Sequence, residues 1–254
     1  MDMPSTSEYR PDPRTGAARA GILRVVDLGP TGYDDCWKLQ RDVFDSRGGG
    51  RCSDTLLLTS HDHVYTLGKG ADDDHLLAST VELRLSGAGV VRTDRGGDVT
   101  YHGPGQLVGY PILDLRGHYL DIHRYLRDLE EVLIAAIGDF GLKGEREEGF
   151  TGVWVGGEKI AAIGVKVSRW ITMHGFALNV NTDLKYFDRI IPCGIGHRGV
   201  TSMEKILGDA VPVRDVLASA AGHFAGKFHL SPLAVSPQEI CGTETTISET
   251  TQNG

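Results

Sequence analysis

The chain predicts an α+β fold: a single domain whose mixed, largely antiparallel sheet is flanked by helices. Three observations carry that prediction. Short apolar runs cluster in blocks joined by turn signals as well as by helical stretches, unlike the strict alternation of a doubly wound parallel sheet. The segment Asp121 to Phe140 sets Ile122, Leu126, Leu129, Val132, Leu133, Ala136, Ile137 and Phe140 three to four residues apart, the stripe of an amphipathic helix. With 254 residues, 40% of them hydrophobic, the chain holds enough apolar material for one core.

Taken in order, residues 1–20 are polar, carry Pro4, Pro11 and Pro13 and contain no apolar segment, so they read as a disordered leader and not a secretory signal. The single folded domain is expected over 21–230. Ile22 to Leu28 reads as a strand, and Tyr33 to Ser46 as a helix with Trp37, Leu39, Val43 and Phe44 in helical spacing. Cys36 belongs to that helix as a core residue. Asp54–Thr59 and Val64–Leu67 read as strands, and Asp72–Asp74 as a solvated turn or helix start. Val90 to Thr93 leads into a glycine loop, Arg95 to Gly105, with four glycines in eleven residues. Gln106 to Leu113 follows as a strand. Asp121 suits an N-cap and Gly141 a helix stop.

Gly152–Val155 and Lys159–Ile163 flank Gly156-Gly157, a hairpin signature. Ile171 to Asn181 is another strand. Thr201-Ser-Met-Glu204 matches a capping box opening a short helix, and Val213 to Phe228 is a last helix. Residues 231–254, rich in Ser, Thr, Pro and Glu, read as a disordered tail containing an inert Cys241.

Net charge is −8, which argues against bulk nucleic-acid binding. No run of about 18 apolar residues exists, which argues against a membrane span. The four cysteines (Cys36, Cys52, Cys193, Cys241) show no paired spacing, so neither a disulfide framework nor a zinc site is expected, and the compartment reads as cytoplasm.

Three segments bear chemistry. A glycine loop running into a strand, not a helix, is no phosphate loop; it suits a wall against which a long, thin ligand lies. Cys193, between Pro192 and Gly194, sits in a turn sequence, where it is either a nucleophile near backbone N–H donors or a small buried hydrophobe. A nucleophilic thiol needs help to ionise, and His102, His174, His197 and Lys159 are candidate partners. Lys159 opens an apolar strand after a glycine turn. It is either a solvated strand end or a desolvated amine of lowered pKa.

The segments Arg95-Gly-Gly-Asp-Val-Thr-Tyr-His-Gly-Pro-Gly-Gln106, Lys159-Ile-Ala-Ala-Ile-Gly164, His174-Gly-Phe-Ala-Leu-Asn-Val180 and Pro192-Cys-Gly-Ile195 together resemble the lipoyl(octanoyl) transferase family, from about Val25 to Phe228. The resemblance implies a fold like the catalytic domains of biotin and lipoate protein ligases. It implies octanoyl transfer from octanoyl-acyl carrier protein, through a thioester on Cys193, to a lysine of the lipoyl domains of 2-oxoacid dehydrogenase E2 subunits and of the glycine-cleavage H protein. Lys159 maps to the family's catalytic lysine. The acyl-binding segments map to Arg95, Gly96, Gly97, Asp98, Val99, Thr100, Tyr101 and His102, to Ala162, Ile163 and Gly164, and to Gly175, Phe176 and Ala177. Val99, Ile163 and Phe176 are expected to line the acyl tunnel.

His102 either shapes the donor site or satisfies nearby backbone, and Tyr101 is a packing candidate as much as a binding one. Arg95 either positions the carrier's phosphopantetheine or an acidic side chain, or is a plain surface arginine. No ATP and no metal are expected, since the donor is already a thioester, and the protein is expected to be a monomer. Arg41, Arg47, Arg51, Lys69 and Arg92 are candidates for carrier docking.

One departure from the family pattern is Asp62-His63, where relatives carry two prolines. The resulting His61-x-His63 spacing resembles a metal pair but lacks a third ligand. Competing readings are an ATP-dependent lipoate or biotin ligase, a non-catalytic binding protein and a cysteine hydrolase.

Overall fold

A computed structural model describes residues 21–191 and 199–241. The expected leader, Cys193 and His197 therefore lie outside the described residues, as does the tail beyond Cys241. The described chain begins with β1 (Gly21–Thr31) and α1 (Tyr33–Gly48), then β2 (Asp54–His61) and β3 (Val64–Leu67). Next come α2 (Thr80–Leu85), β4 (Gly89–Arg92), β5 (Val99–His102) and β6 (Gln106–Ile112). After α3 (Ile122–Gly138) follow β7 (Glu145–Glu147), β8 (Phe150–Val155), β9 (Glu158–Ser168) and β10 (Ile171–Asn179). The described chain closes with α4 (Met203–Leu207), α5 (Val213–Lys227) and β11 (Leu230–Ala234).

The main sheet has eight strands in the order β11-β1-β2-β6-β10-β9-β8-β7, and a smaller sheet has three in the order β4-β3-β5. In the main sheet β11, β1 and β2 run parallel, and every pairing from β2 to β7 is antiparallel. The α+β expectation with a mixed, largely antiparallel sheet therefore holds. Strand alternation separates two cores. Leu107, Ala161, Phe176 and Leu178 face Leu129, Leu133 and Phe224 of α3 and α5. Leu57, Val108, Tyr110 and Ala177 face Cys36, Val43 and Phe44 of α1. Each such buried leucine or phenylalanine contributes about 1.5–3 kcal/mol by leaving water. Helix α3 forms where its stripe predicts, and the Asp121 carboxylate accepts the Arg124 N–H at its start.

Four expectations need correction. The glycine segment is not all loop: Val99 to His102 pairs antiparallel with β3, because four residues between glycines still complete a ladder. The capping box at Thr201 does not form. Ser202 caps α4 instead, accepting the Lys205 N–H, while the Glu204 N–H goes to Val180 O at 2.9 Å.

The tail is ordered beyond residue 230. β11 pairs in parallel with β1 from Gly21↔Leu230 to Val25↔Ala234, and Ile240, only 4% exposed, enters the core beside Cys52. Composition under-read this segment because its partner, the open edge of β1, is distant in sequence. Nor is Cys241 in a loose tail, since its Sγ lies 2.7 Å from Cys52 Sγ, both thiols being free. Cys36 is the core residue expected, and burial pushes its thiol up to about 12.

Candidate active site

Lys159 owes its position to the turn before it. Gly156 and Gly157 adopt φ of 58° and 83°, the left-handed pair a tight hairpin demands, and the strand they launch carries Lys159 in its second place. Its backbone then grips the returning chain, with Lys159 N–H donating to Gly199 O and Thr201 N–H donating to Lys159 O, each at 3.0 Å. The side chain is 8% exposed, and its Nζ lies 4.8 Å from the Trp154 ring centre. The reading of Lys159 as a solvated strand end is thereby excluded. Cys193 belongs to the segment between Ile191, tied to His75 O at 2.8 Å, and Gly199, tied to Lys159.

Beside Lys159 opens a cavity of about 60 Å³. Arg95, Gly97, Asp98, Val99, Thr100 and His102 line it, as do Ala162, Ile163, Gly164, Gly175, Phe176 and Ala177. The structure thus brings three separated sequence motifs to one wall. Gly96 and Tyr101 do not line it. Gly96 N–H is held by Val165 O at 2.9 Å, and Tyr101 turns into the small-sheet cluster against Tyr186 and Phe187. The side chains of Ile163 and Phe176 pack into the α3–α5 core, so strand alternation leaves only their backbone to meet the cavity; the expected apolar lining from those two rests on the wrong face. Val108, Tyr110 and Ala177 supply it instead.

Polar side chains at the cavity are linked in series. His102 Nδ1 lies 2.8 Å from Gln106 Oε1, Gln106 Nε2 donates to Asn179 Oδ1 at 2.9 Å, and Asn179 Nδ2 donates to Thr201 O at 3.0 Å. Thr201 is the residue whose N–H holds Lys159 O. Since Gln106 Oε1 accepts, His102 carries its proton on Nδ1. Burial lowers its pKa to about 3, so the ring is neutral and serves as a fixed strut, not a base. His174 is likewise lowered to about 4 by burial, against the pull of Asp94, whose Oδ1 lies 2.7 Å from Nε2.

Arg95 is not a surface arginine. It is buried, and its Nη2 donates to Thr66 O and Oγ1 at 2.7 and 2.9 Å. Gly164 makes room for it, since a Cβ there would stand 3.0 Å from Gly96 O and 3.2 Å from Arg95 Cδ. Asp98 Oδ2 meets His75 Nδ1 at 2.6 Å while Oδ1 accepts the Val99 N–H.

The His61-x-His63 pair splits between two clusters. His61 bonds Thr31 O and Tyr110 Oη, whereas His63 bonds Tyr101 Oη and stacks on Tyr186 at 4.2 Å. Of the basic candidates for docking, Arg47 is paired with Asp54, Arg92 with Asp73, and Arg41 lies over the Trp37 ring. Sequence reasoning missed Tyr33, Val108, Tyr110, Asn179, Phe187 and Val200 at the cavity. The period-two pattern Gln106, Val108, Tyr110 was a usable signal for part of this set; Tyr33, at the first turn of α1, offered none.

A model of the lipoyl protein ligase A/B catalytic domain matches residues 32–225. The chain belongs to that family. Among curated members, an octanoyltransferase of Rubrobacter xylanophilus is 56% identical over 201 residues, covering 78% of this chain and 89% of that one. One of Gloeobacter violaceus is 52% identical, covering 82% and 91%. The family fold extends to solved structures of low identity. A putative lipoate protein ligase from Thermoplasma acidophilum superposes with TM-score 0.69 at 17% identity, covering 88% of this chain and 91% of that one. A lipoate-protein ligase A bound with ATP gives 0.71 at 16%, again covering 88% and 91%.

Proposed function

We propose that this acyltransferase moves an octanoyl group from octanoyl-acyl carrier protein, through a thioester on Cys193, to a lysine of a lipoyl domain, on an E2 subunit or the H protein. The observation that carries the reading is the convergence of about half-identity to octanoyltransferases with a buried Lys159 lining the same cavity as the Arg95–His102 segment. The Cys193 sulfur attacks the donor carbonyl carbon, the phosphopantetheine thiolate leaves, and the acyl group becomes a protein thioester. The acceptor amine then attacks that carbonyl, an amide forms, and the Cys193 thiolate is released. Lys159 takes the Cys193 proton and returns it to the leaving phosphopantetheine thiolate; it then takes one proton from the incoming ammonium and passes it to solvent, while the second proton, lost by the nitrogen as the amide forms, goes to the departing Cys193 thiolate.

The alkyl chain lies on Val108, Ala162 and Ala177, gaining about 0.8 kcal/mol per buried CH₂. Exchange of one thioester for another is near balance and amide formation is downhill, so neither ATP nor a metal is needed. Among the described residues no helix is long and apolar enough to cross a membrane. In this reading the enzyme is a cytoplasmic monomer.

The test is intact-protein mass spectrometry after mixing with octanoyl-acyl carrier protein without ATP. One octanoyl group is gained, is absent in Cys193→Ser, and is discharged by an apo lipoyl domain. Turnover of free octanoate that requires ATP, with no protein adduct from the carrier, would replace this reading by a ligase.

A further inference from the structure

The cavity has two distinguishable ends. One is the hydrogen-bonded series of Gln106, Asn179, Thr201 and the Lys159 backbone. The other lies further along β10, at the level where Gly175 pairs with Gly164. There Arg95 lies across Gly164, and Asp94 holds both Lys166 Nζ at 2.5 Å and His174 Nε2 at 2.7 Å. Tyr33 reaches the same end. Its ring lies 6.3 Å from that of Trp37, which in turn lies 6.1 Å from His174, and its other face stacks at 6.0 Å on His102, the partner of Gln106. Both residues are rigidly placed: Tyr33 is 6% and His174 1% exposed, and the His174 N–H donates to Gln40 Oε1.

Between these ends the lining is short and apolar, but the far end is polar. His174 sits at φ +58°, a left-handed conformation that a buried non-glycine residue keeps only under constraint, and its Nδ1 is buried with no hydrogen-bond partner among the described residues. Asn179 and Gly175 are separated by four steps of strand, about 13 Å at roughly 3.3 Å each. An extended alkyl chain advances about 1.25 Å per bond, given C–C bonds near 1.5 Å, so eight carbons and their terminal methyl fill roughly 11 Å. A twelve-carbon chain would need about 5 Å more, into the Tyr33 ring and the His174 imidazole.

We propose that Tyr33, backed by His174, is the end wall of the acyl channel and determines the longest acyl chain this enzyme accepts. The proposal rests on the acyl-transfer reading. The roughly 2 Å left past eight carbons takes about one further methylene; beyond that each must displace the Tyr33 ring or press on the polar edge of His174, and the gain from burial turns into a clash.

The experiment compares kcat/KM for octanoyl- and dodecanoyl-acyl carrier protein in the full-length enzyme and in Tyr33→Ala, Tyr33→Leu and Tyr33→Phe. Binding of the free C8 and C12 fatty acids by calorimetry serves as a readout that needs no transfer. The dodecanoyl-to-octanoyl ratio is expected to rise at least tenfold in Tyr33→Ala, and in Tyr33→Leu by a smaller factor. Tyr33→Phe keeps the ring and therefore the preference. Tyr33→Leu decides the matter if the alanine variant does not fold. An unchanged ratio in folded protein, by transfer and by fatty-acid binding alike, overturns the proposal. If the unaltered enzyme transfers no acyl group yet prefers the C8 acid in a Tyr33-dependent way, the transfer reading fails and the end wall stands.

Discussion

On one face of β6 and β10 stand Leu107, Phe176 and Leu178; on the other stand Gln106, Val108, Tyr110, Ala177 and Asn179. The same two strands thus build a dry core and a cavity wall from alternate residues. The dry face needs only volume, and its partners on α3 and α5 are interchangeable hydrophobes within packing limits. The cavity face buries Arg95, His102, Gln106, Asn179 and His174, and each makes at least one hydrogen bond, although His174 Nδ1 is left without one among the described residues. An unmet polar group there costs more than a missing methylene, so one face is set by size and the other by pairing.

Substitutions can break that contrast. The largest effect is expected at Lys159. Lys159→Ala should lower single-turnover acyl transfer about 10²–10⁴-fold while urea unfolding stays near that of the unaltered protein. Undiminished transfer would remove Lys159 from proton transfer. On the dry face, Leu133→Ala should cost about 2–5 kcal/mol in urea unfolding yet leave transfer per folded molecule intact, because α3 touches no reacting group.

Gly109 joins the two faces. A Cβ there would stand 2.2 Å from Phe176 Cζ, so Gly109→Ala should cost about 1–3 kcal/mol. Adding Phe176→Leu should recover part of that loss, and a double-mutant cycle with no coupling would show that the ring is not the obstacle.

The smallest effect near neutrality is pH. His102 and His174 are held near 3 and 4, below the ordinary 6.5 that the unfolded chain restores. Below about pH 6.5 the unfolded chain therefore binds protons that the folded one refuses. Stability is complete above that pH, falls on acidification by up to about 1.4 kcal/mol per unit per group, and stops falling below the folded values. Chemical denaturation at pH 6.5 and 5.5 reads this slope, and His102→Asn should flatten it.

The dry face was the more legible. The α3 stripe, the Gly156-Gly157 hairpin and the alternating strands are local patterns, and each formed where sequence placed it. The cavity was legible where a motif carries it, as for Lys159 and the Arg95 segment. It was illegible where burial partners come from afar. Nothing around Tyr33 shows that β1 delivers it to the Arg95 loop. Ile163 and Phe176 lie in the right motifs but on the wrong parity, a distinction that needs strand register and not composition. β11 was missed because its ladder partner is at the opposite end of the chain.

That ladder has a consequence for how the molecule behaves among its own copies. A sheet ends in rows of unpaired amide and carbonyl groups, which invite another chain to add a strand. Here one end is β7, three residues reading Glu-Arg-Glu, too short and too charged to template growth. The other would be β1, eleven residues long, were it not covered by the five-residue β11 with Pro232 in its middle. Residues 230–234 are therefore a guard against polymerisation, and a chain shortened at Leu230 exchanges a blunted border for a long adhesive one.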